Sequence, residues 1–489
     1  MDATNPATNA DQFVAGRPFV FRNATIITVD SQGVIEGGDL LVVDDKIEAV
    51  GVNLPVPEGT LEIDATGGIL TPGFIDTHRH MWQTGLRGYG GDWALSQYFV
   101  FYYLQHGAVF RPEDIYAGNL LSALESVDTG VTTTLDWSHG LRNVEYGEAA
   151  LQAFREIPGR FVLAYGNYLG APWEWANTPE FRKFAADNFS TSNDMLSLEI
   201  AFDVTGADDF PELAAFKAAR DLGVRVTTHA GVWGATTDKG IEQMYDAGVM
   251  TPEISYVHSA TLQPESYQKI AATGGSVSVA NESEQHAGQG YPSTWELRKY
   301  GIPGSLSMDT SVWWSADFFS AMRSTLGSDR SREHLEAQLK GETVVANRLR
   351  AEDVIRYATM GGAHAIGLED KIGSLTPGKQ ADILLIKNDE SPAMTPILNP
   401  YAHVVLQAGT ADVHTVVING KVVKFEGKRI GLPLAPIRDK VAASVEYVRG
   451  ALGEDAWEEG MHPKLDPAEE IENPYKYTEG DAHIRAQGA

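Results

Sequence analysis

Apolar and polar positions along this chain fall into two textures. Between about residues 68 and 309, short β-branched apolar runs alternate with longer stretches whose apolar residues recur at spacings of three and four, the signature of strands alternating with helices. The strand-like runs are Gly68–His80, Val131–Trp137, Gly159–Tyr168, Leu196–Val204, Val224–His229, Ile254–His258, Ser276–Ala280 and Ser305–Asp309. A helix-like stretch is opened by Pro112-Glu-Asp and continues Ile-Tyr-Ala-Gly-Asn-Leu-Leu-Ser-Ala-Leu. Strands and helices alternating in this way predict an α/β fold built as a (β/α)8 barrel. Outside that span the texture is strands and turns only. Residues 18–70 carry several short strands, and the pattern returns in Ala-Asp-Ile-Leu-Leu-Ile-Lys and in His-Thr-Val-Val-Ile-Asn-Gly-Lys-Val-Val, where Asn419-Gly420 predicts a tight hairpin. The expected organisation is an N-terminal extension (1–17), a small composite β-sandwich (18–70 with 371–438), the barrel (71–370) and a C-terminal extension (439–489). The last of these is acidic and Pro-containing, and reads as a surface extension or oligomer arm.

Where the strand-like runs stop matters most. The first ends on His78-Arg-His80, and residues two apart on a strand share a face, so both imidazoles can aim at one point. The runs that follow stop at His229, at His258 and at Asp309. Each alone reads equally as a core residue or a helix cap. Together they put an ionisable, ligand-type side chain at the carboxyl end of four strands in chain order, which is where a parallel barrel keeps its chemistry.

Bulk properties narrow the chemistry. The chain has no cysteine, so disulfides, thiolate ligands and a cysteine nucleophile are excluded, and any metal is held by nitrogen and oxygen. A formal charge of −28 repels phosphate backbones, so nucleic acid is not an expected partner. No apolar run reaches membrane-spanning length, and the opening residues lack a basic and an apolar region of the secretory kind. The expectation is a cytoplasmic enzyme with a small-molecule substrate and no membrane partner. A homo-oligomer is expected, with the aromatic stretch after the first barrel strand and the C-terminal tail as interface material.

Those residues resemble the amidohydrolase superfamily, and within it the cytosine-deaminase and triazine-hydrolase branch. The resemblance rests on Thr-Pro-Gly-Phe-Ile-Asp-Thr-His78-Arg-His80, on His229, His258 and Asp309 in order, and on Gly-Ser-Leu-Thr-Pro-Gly-Lys-Gln-Ala-Asp-Ile-Leu-Leu at 373–385. It implies one divalent ion per subunit held by His78, His80, His229 and Asp309. Zinc is the expected ion, with iron, manganese and cobalt as alternatives. It gives His258 a catalytic role beside them. Binuclear relatives carry a carboxylated lysine at the end of strand four, and Leu-Glu-Ile-Ala-Phe-Asp-Val-Thr-Gly here has none.

One departure changes the expected reaction. Deaminases and triazine hydrolases of this branch carry His-x-x-Glu after strand five, and this chain has His229-Ala-Gly-Val232. Valine moves no proton, so the acid and base must be sought elsewhere. Asp309 or His258 can take the proton of water. His258, or the loop after strand seven with Glu284 and His286, can serve the leaving group. Trp82, His139, His286 and Trp313 are candidates for the substrate pocket, which the tryptophans would make suited to an aromatic or bulky apolar molecule. The leading expectation is hydrolysis of an amide-, carbamate-, thiocarbamate- or urea-like C–N bond. The alternatives are deamination of an aminated heterocycle with a relocated proton shuttle, and a barrel that binds a ligand without turnover.

Overall fold

The computed structural model describes residues 12–14, 16–166, 172–189, 195–232 and 234–463. Five strands precede the barrel: β1 (Phe19–Ile27), β2 (Val34–Val43), β3 (Lys46–Gly51), β4 (Leu61–Asp64) and β5 (Ile69–Pro72). The barrel strands are β6 (Phe74–His80), β7 (Val131–Ser138), β8 (Arg160–Gly166), β9 (Leu196–Ala201), β10 (Arg225–Ala230), β11 (Ile254–His258), β12 (Ser276–Val279), β13 (Gly304–Leu306) and β14 (Asp309–Thr310). Four more follow: β15 (Ile383–Ile386), β16 (Val413–Ile418), β17 (Lys421–Phe425) and β18 (Lys428–Arg429).

Strands β6 to β13 pair in sequence order, parallel throughout, and β14 returns to β6 through Asp309 with Arg79 and Thr310 with His80. Strand eight is therefore two short pieces, one on each neighbour, and the barrel closes across them. The flanking strands form a separate mixed sheet ordered β18-β17-β16-β15-β5-β1-β2-β3, with β4 also on β1. Its core draws Phe21 from β1, Leu40 from β2, Ile383 from β15 and Val417 from β16. The Asn419-Gly420 turn joins β16 to β17 with φ of 48° and 74°, the two left-handed residues a type I′ hairpin requires.

The run read as Gly68–His80 is two strands. Ile69–Pro72 belongs to the mixed sheet and Phe74–His80 to the barrel, and the chain crosses between them at Gly73. A Cβ at Gly73 would lie 2.2 Å from the Thr132 side chain, so only glycine lets the chain pass β7 this closely. The third run, read to Tyr168, is strand through Gly166, and its last residues lie outside the described ones.

Two contacts tie the parts together. Arg160, at the start of β8, is buried and meets Asp382 at 3.1 Å and Gln380 at 2.7 Å; Asp382 also accepts the Asn419 amide. Truncating one member of such a buried pair leaves the other charge without compensation. Arg160→Ala is expected to destabilise the fold by about 3–5 kcal/mol, read as an earlier urea midpoint of the intact protein. The C-terminal segment is held as well. Its helices Leu434–Leu452 and Glu454–Met461 pack on the barrel, where Trp93 donates to Gly460 at 2.9 Å, Tyr89 to Trp457, and Ser444 to Asp114 at 2.7 Å. The extension is thus a clamp on the aromatic segment after β6 as far as Met461, while residues 464–489 lie outside the described ones.

Candidate active site

The sequence Phe-Ile-Asp-Thr-His-Arg-His makes β6 a fully buried strand, and alternation sorts its last residues. His78 and His80 face the barrel interior, with ring centroids 4.7 Å apart. Arg79 turns the other way, donating to Ser122 at 2.9 Å and Glu125 at 2.7 Å on the Pro112–Thr129 helix. The carboxylate of Asp136 accepts the Met81 amide at 3.0 Å and so fixes the turn that follows His80. Burial pushes the Asp136 carboxyl up to about 6.

Five side chains meet at the carboxyl ends of the strands. Ligand-type atoms of His78, His80 and Asp309 lie within 4.8 Å of one another, as do those of His78, His229 and His258. Asp309 is the hub. Its Oδ1 lies 3.1 Å from His78 Nε2 and 3.2 Å from His80 Nε2, and its Oδ2 accepts from Ser283 and from Gln289 (3.3 Å) and sits 4.0 Å from His258 Nε2. His258 and Asp309 both hold left-handed backbones, φ 69° and 56°, uncommon for residues with a side chain. Such conformations persist where the surroundings enforce them, and here they turn two strand-end side chains onto one point.

Three of the imidazoles are oriented from behind. His80 Nδ1 donates to the Trp137 carbonyl at 2.7 Å, His229 Nδ1 to Asp203 at 3.0 Å, and His258 Nδ1 to Glu284 Oε1 at 3.1 Å. Each bond places the ring proton on Nδ1 and leaves the Nε2 lone pair for the centre, the arrangement of metal-binding histidines. Burial drives the His78 pKa well below its ordinary value, keeping the ring neutral as a ligand must be. Burial also opposes ionisation of Asp309, yet the imidazoles of His78 and His80 beside it hold its carboxyl well below the usual range. The 3.1 and 3.2 Å spacings are close to the ~3.4 Å edge of a tetrahedron with ~2.1 Å bonds. Nitrogen and oxygen donors of this number and spacing fit a single divalent ion such as zinc.

A cavity of about 210 Å³ opens above the cluster. His80, His229, His258 and Asp309 form its floor, and much of the wall is apolar, with Leu95, Phe99, Trp173, Phe202, Val232 and Ala235 among its residues. The expected pocket residues divide. His139 lines the cavity, its ring 4.1 Å from that of His80. Trp82 is buried behind it and donates its indole N–H to His139 Nδ1 at 3.3 Å, so it supports the wall rather than forming it. Trp313 is not among the lining residues; its ring lies 5.5 Å from that of Tyr98, which is, and its indole N–H donates to the Gly90 carbonyl. His286 is exposed and sits tilted against Trp313, ring centroids 5.1 Å apart, outside the cavity lining. Glu284 is not on a free loop. It lies in the short helix Asn281–Ala287, fully buried behind His258, where its Oε1 also accepts the Ala280 amide. Burial raises its pKa against the bond from His258.

The structure adds residues that the strand-end reasoning passed over. Asp203, just beyond β9, accepts both the backbone and the ring N–H of His229 and lines the cavity. An acid at the end of another barrel strand was the available signal. Gln289 and Ser283 grip Asp309 from the segment after β12. Tyr98, Phe99 and Tyr103 come from the stretch Tyr98–His106, wound as a π-helix, and nothing in its periodicity announces that winding.

Known proteins match this chain over most of its length. The model of the amidohydrolase family matches residues 69–423. A 5'-deoxyadenosine deaminase of Methanosarcina mazei is 26% identical over 427 residues, covering 82% of this chain and 92% of that protein. A 5-methylthioadenosine/S-adenosylhomocysteine deaminase of Symbiobacterium thermophilum is 28% identical over 429 residues, covering 83% and 93%. Among solved structures, an atrazine chlorohydrolase variant from Arthrobacter aurescens with zinc and atraton superposes with a TM-score of 0.75 at 21% identity, covering 87% of this chain and 100% of that one. An adenosine deaminase from Xanthomonas campestris with bound zinc gives 0.72 at 19% identity, covering 88% and 98%.

Proposed function

The chain belongs to the amidohydrolase family, a hydrolytic enzyme acting on C–N bonds, and from that premise we propose that it cleaves an amide-, carbamate-, thiocarbamate- or urea-like bond in a small ring substrate. The observation that carries this reading is Val232 in the cavity wall beside an otherwise complete cluster of four histidines and one aspartate. His78, His80, His229 and Asp309 are the residues to hold one divalent ion. When bound, that ion lowers the pKa of water and polarises the substrate carbonyl.

The chain's own groups supply the rest. His258 accepts the proton of the attacking water at Nε2, because its Nδ1 proton is committed to Glu284 Oε1, an oxygen that already accepts the Ala280 amide. Glu284 is not among the residues lining this cavity and is a positioning residue. The apolar wall excludes water and selects a flat, weakly polar substrate. Asp203 both aims His229 and offers the cavity an acceptor, while the amide of Gln289 adds a polar contact and the ring of His139 forms part of the wall.

A second reading, deamination of an aminated heterocycle, is favoured by the deaminase names of relatives that cover more than four-fifths of the chain. Metal analysis with parallel assays of ammonia release and substrate loss separates the two. Near one equivalent of metal, with loss of carbamate or urea substrates and no ammonia from aminated heterocycles, is expected. Ammonia as the main product overturns the proposal in favour of deamination, and a metal-free active protein overturns the ligand set. Val232→Glu restores the glutamate of His-x-x-Glu and is expected to raise ammonia release from aminated heterocycles about 10- to 100-fold while slowing turnover of apolar substrates, through the carboxylate it brings into the wall.

A further inference from the structure

Loss of the His-x-x-Glu carboxyl leaves the departing nitrogen without an evident proton source, and a second feature of the cavity meets that need. It rests on the hydrolase reading above. The Tyr98 side chain lines the same cavity as His80, His229, His258 and Asp309. Its hydroxyl oxygen is held from two sides, by Gln83 Nε2 at 2.5 Å and by His139 Nε2 at 3.2 Å.

The direction of the second bond is fixed one step further back. His139 Nδ1 faces the indole nitrogen of Trp82 at 3.3 Å, and an indole N–H can only donate. Nδ1 therefore accepts, the His139 ring proton sits on Nε2, and that proton is given to the Tyr98 oxygen. The phenol oxygen thus accepts twice, from an amide and from an imidazole. With the Gln83 amide turned Nε2 towards it, its own proton meets no acceptor among the described residues, and the space beside it is the cavity. A phenol that accepts two hydrogen bonds is also a better donor, since its dipole is polarised along the chain of bonds.

The placement is built in. Tyr98 opens the π-helical stretch Tyr98–His106, Tyr103 from the same stretch stacks on His139 at 4.7 Å, and the C-terminal helices clamp the segment through Trp93. Single π-turns are frequent at functional sites, where they re-aim a side chain that an α-turn would direct elsewhere.

We propose that Tyr98 is the catalytic acid for the leaving group, in the place that Val232 vacates. As water's oxygen bonds to the substrate carbon, the C–N bond breaks and its electron pair goes to nitrogen, which takes the phenolic proton of Tyr98. The phenolate regains a proton from the one that water surrendered to His258, so both side chains end as they began. The products are the free amine and the acid half of the substrate.

The test uses two substrates with the same carbamoyl half, an N-phenylurea (the anilide) that releases aniline and a para-nitrophenyl carbamate (the ester) that releases para-nitrophenoxide. Aniline must be protonated to leave, whereas nitrophenoxide departs as a stable anion. With full-length, metal-loaded protein, Tyr98→Phe is expected to cut kcat/KM about 100-fold on the anilide while changing the ester by no more than about threefold. Equal losses on both substrates, or none on the anilide, overturn the assignment and leave Tyr98 a wall residue. Wild-type protein that turns over neither substrate overturns the hydrolase reading itself, and this inference with it. Should Tyr98→Phe fold poorly, trifluorotyrosine at the same position keeps the shape and acidifies the phenol. The alkaline limb of the anilide profile then moves to lower pH and that of the ester does not. An unmoved anilide limb overturns the proposal.

Discussion

Asp309→Asn is expected to abolish metal binding and to lower kcat/KM by about 10³-fold or more, since the ion is worth several kcal/mol of transition-state stabilisation. The reason lies in what each carboxylate oxygen faces. Oδ2 accepts from Ser283 and Gln289, both donors, so the asparagine carbonyl takes that side and its amide nitrogen takes the place of Oδ1. The amide then points its protons at His78 Nε2 and His80 Nε2, now 3.1 and 3.2 Å from Oδ1. Hydrogen bonds would occupy the two lone pairs an ion needs, and one ligand charge would be gone. The fold has little reason to suffer, because every neighbour keeps a partner. Elemental analysis should find less metal than in the wild type at equal protein, with an unchanged urea midpoint, and added zinc should not restore turnover. Full metal content with wild-type turnover would remove Asp309 from the centre of the site.

Much of this site was legible because strands write their geometry directly. A period of two puts His78 and His80 on one face and Arg79 on the other, and a parallel barrel sends every strand end to the same rim. That logic locates His229, His258 and Asp309 without knowledge of contacts, and applied to strand four it would have reached Asp203 too. It fails where side chains act at one remove. Glu284 looked like a loop acid near the substrate, but the Asn281–Ala287 helix turns it back beneath His258. Trp82 looked like pocket wall, but the turn after β6 buries it behind His139. Tyr98 sits in a run so rich in aromatic residues that no periodic pattern distinguishes cavity from core, and a π-winding decides which rings reach the cavity. The C-terminal acidic composition concealed a packed clamp, because Trp457 and the Gly460 carbonyl make contacts that charge patterning does not reveal.

His258→Gln is expected to lower kcat by about 10²- to 10⁴-fold while the ion stays bound, because it removes the acceptor for water's proton and spares the four proposed ligands. Geometry sets this residue apart from His78 and His80, though not from His229, with which its ligand atom is grouped. His78 and His80 crowd one oxygen of Asp309 at hydrogen-bond distance, whereas His258 Nε2 stands 4.0 Å from the other oxygen, on a strand end held in a left-handed conformation. It is close enough to act on what the cluster binds and is not drawn into the tightest contacts. Glu284→Gln should cost less, about 10- to 100-fold. Glutamine still accepts from His258 Nδ1 through its carbonyl, but it no longer supplies a charge to steady the imidazole once protonated. The two changes act on one unit, so the double variant is expected to be little worse than His258→Gln alone, far short of the product of the single losses. Metal content decides the interpretation. A His258→Gln protein that loses its ion together with its activity would move His258 into the ligand set, with His78 and His229, whose ligand atoms lie within 4.8 Å of its own. Another group, Asp309 first among them, would then have to accept the proton of water.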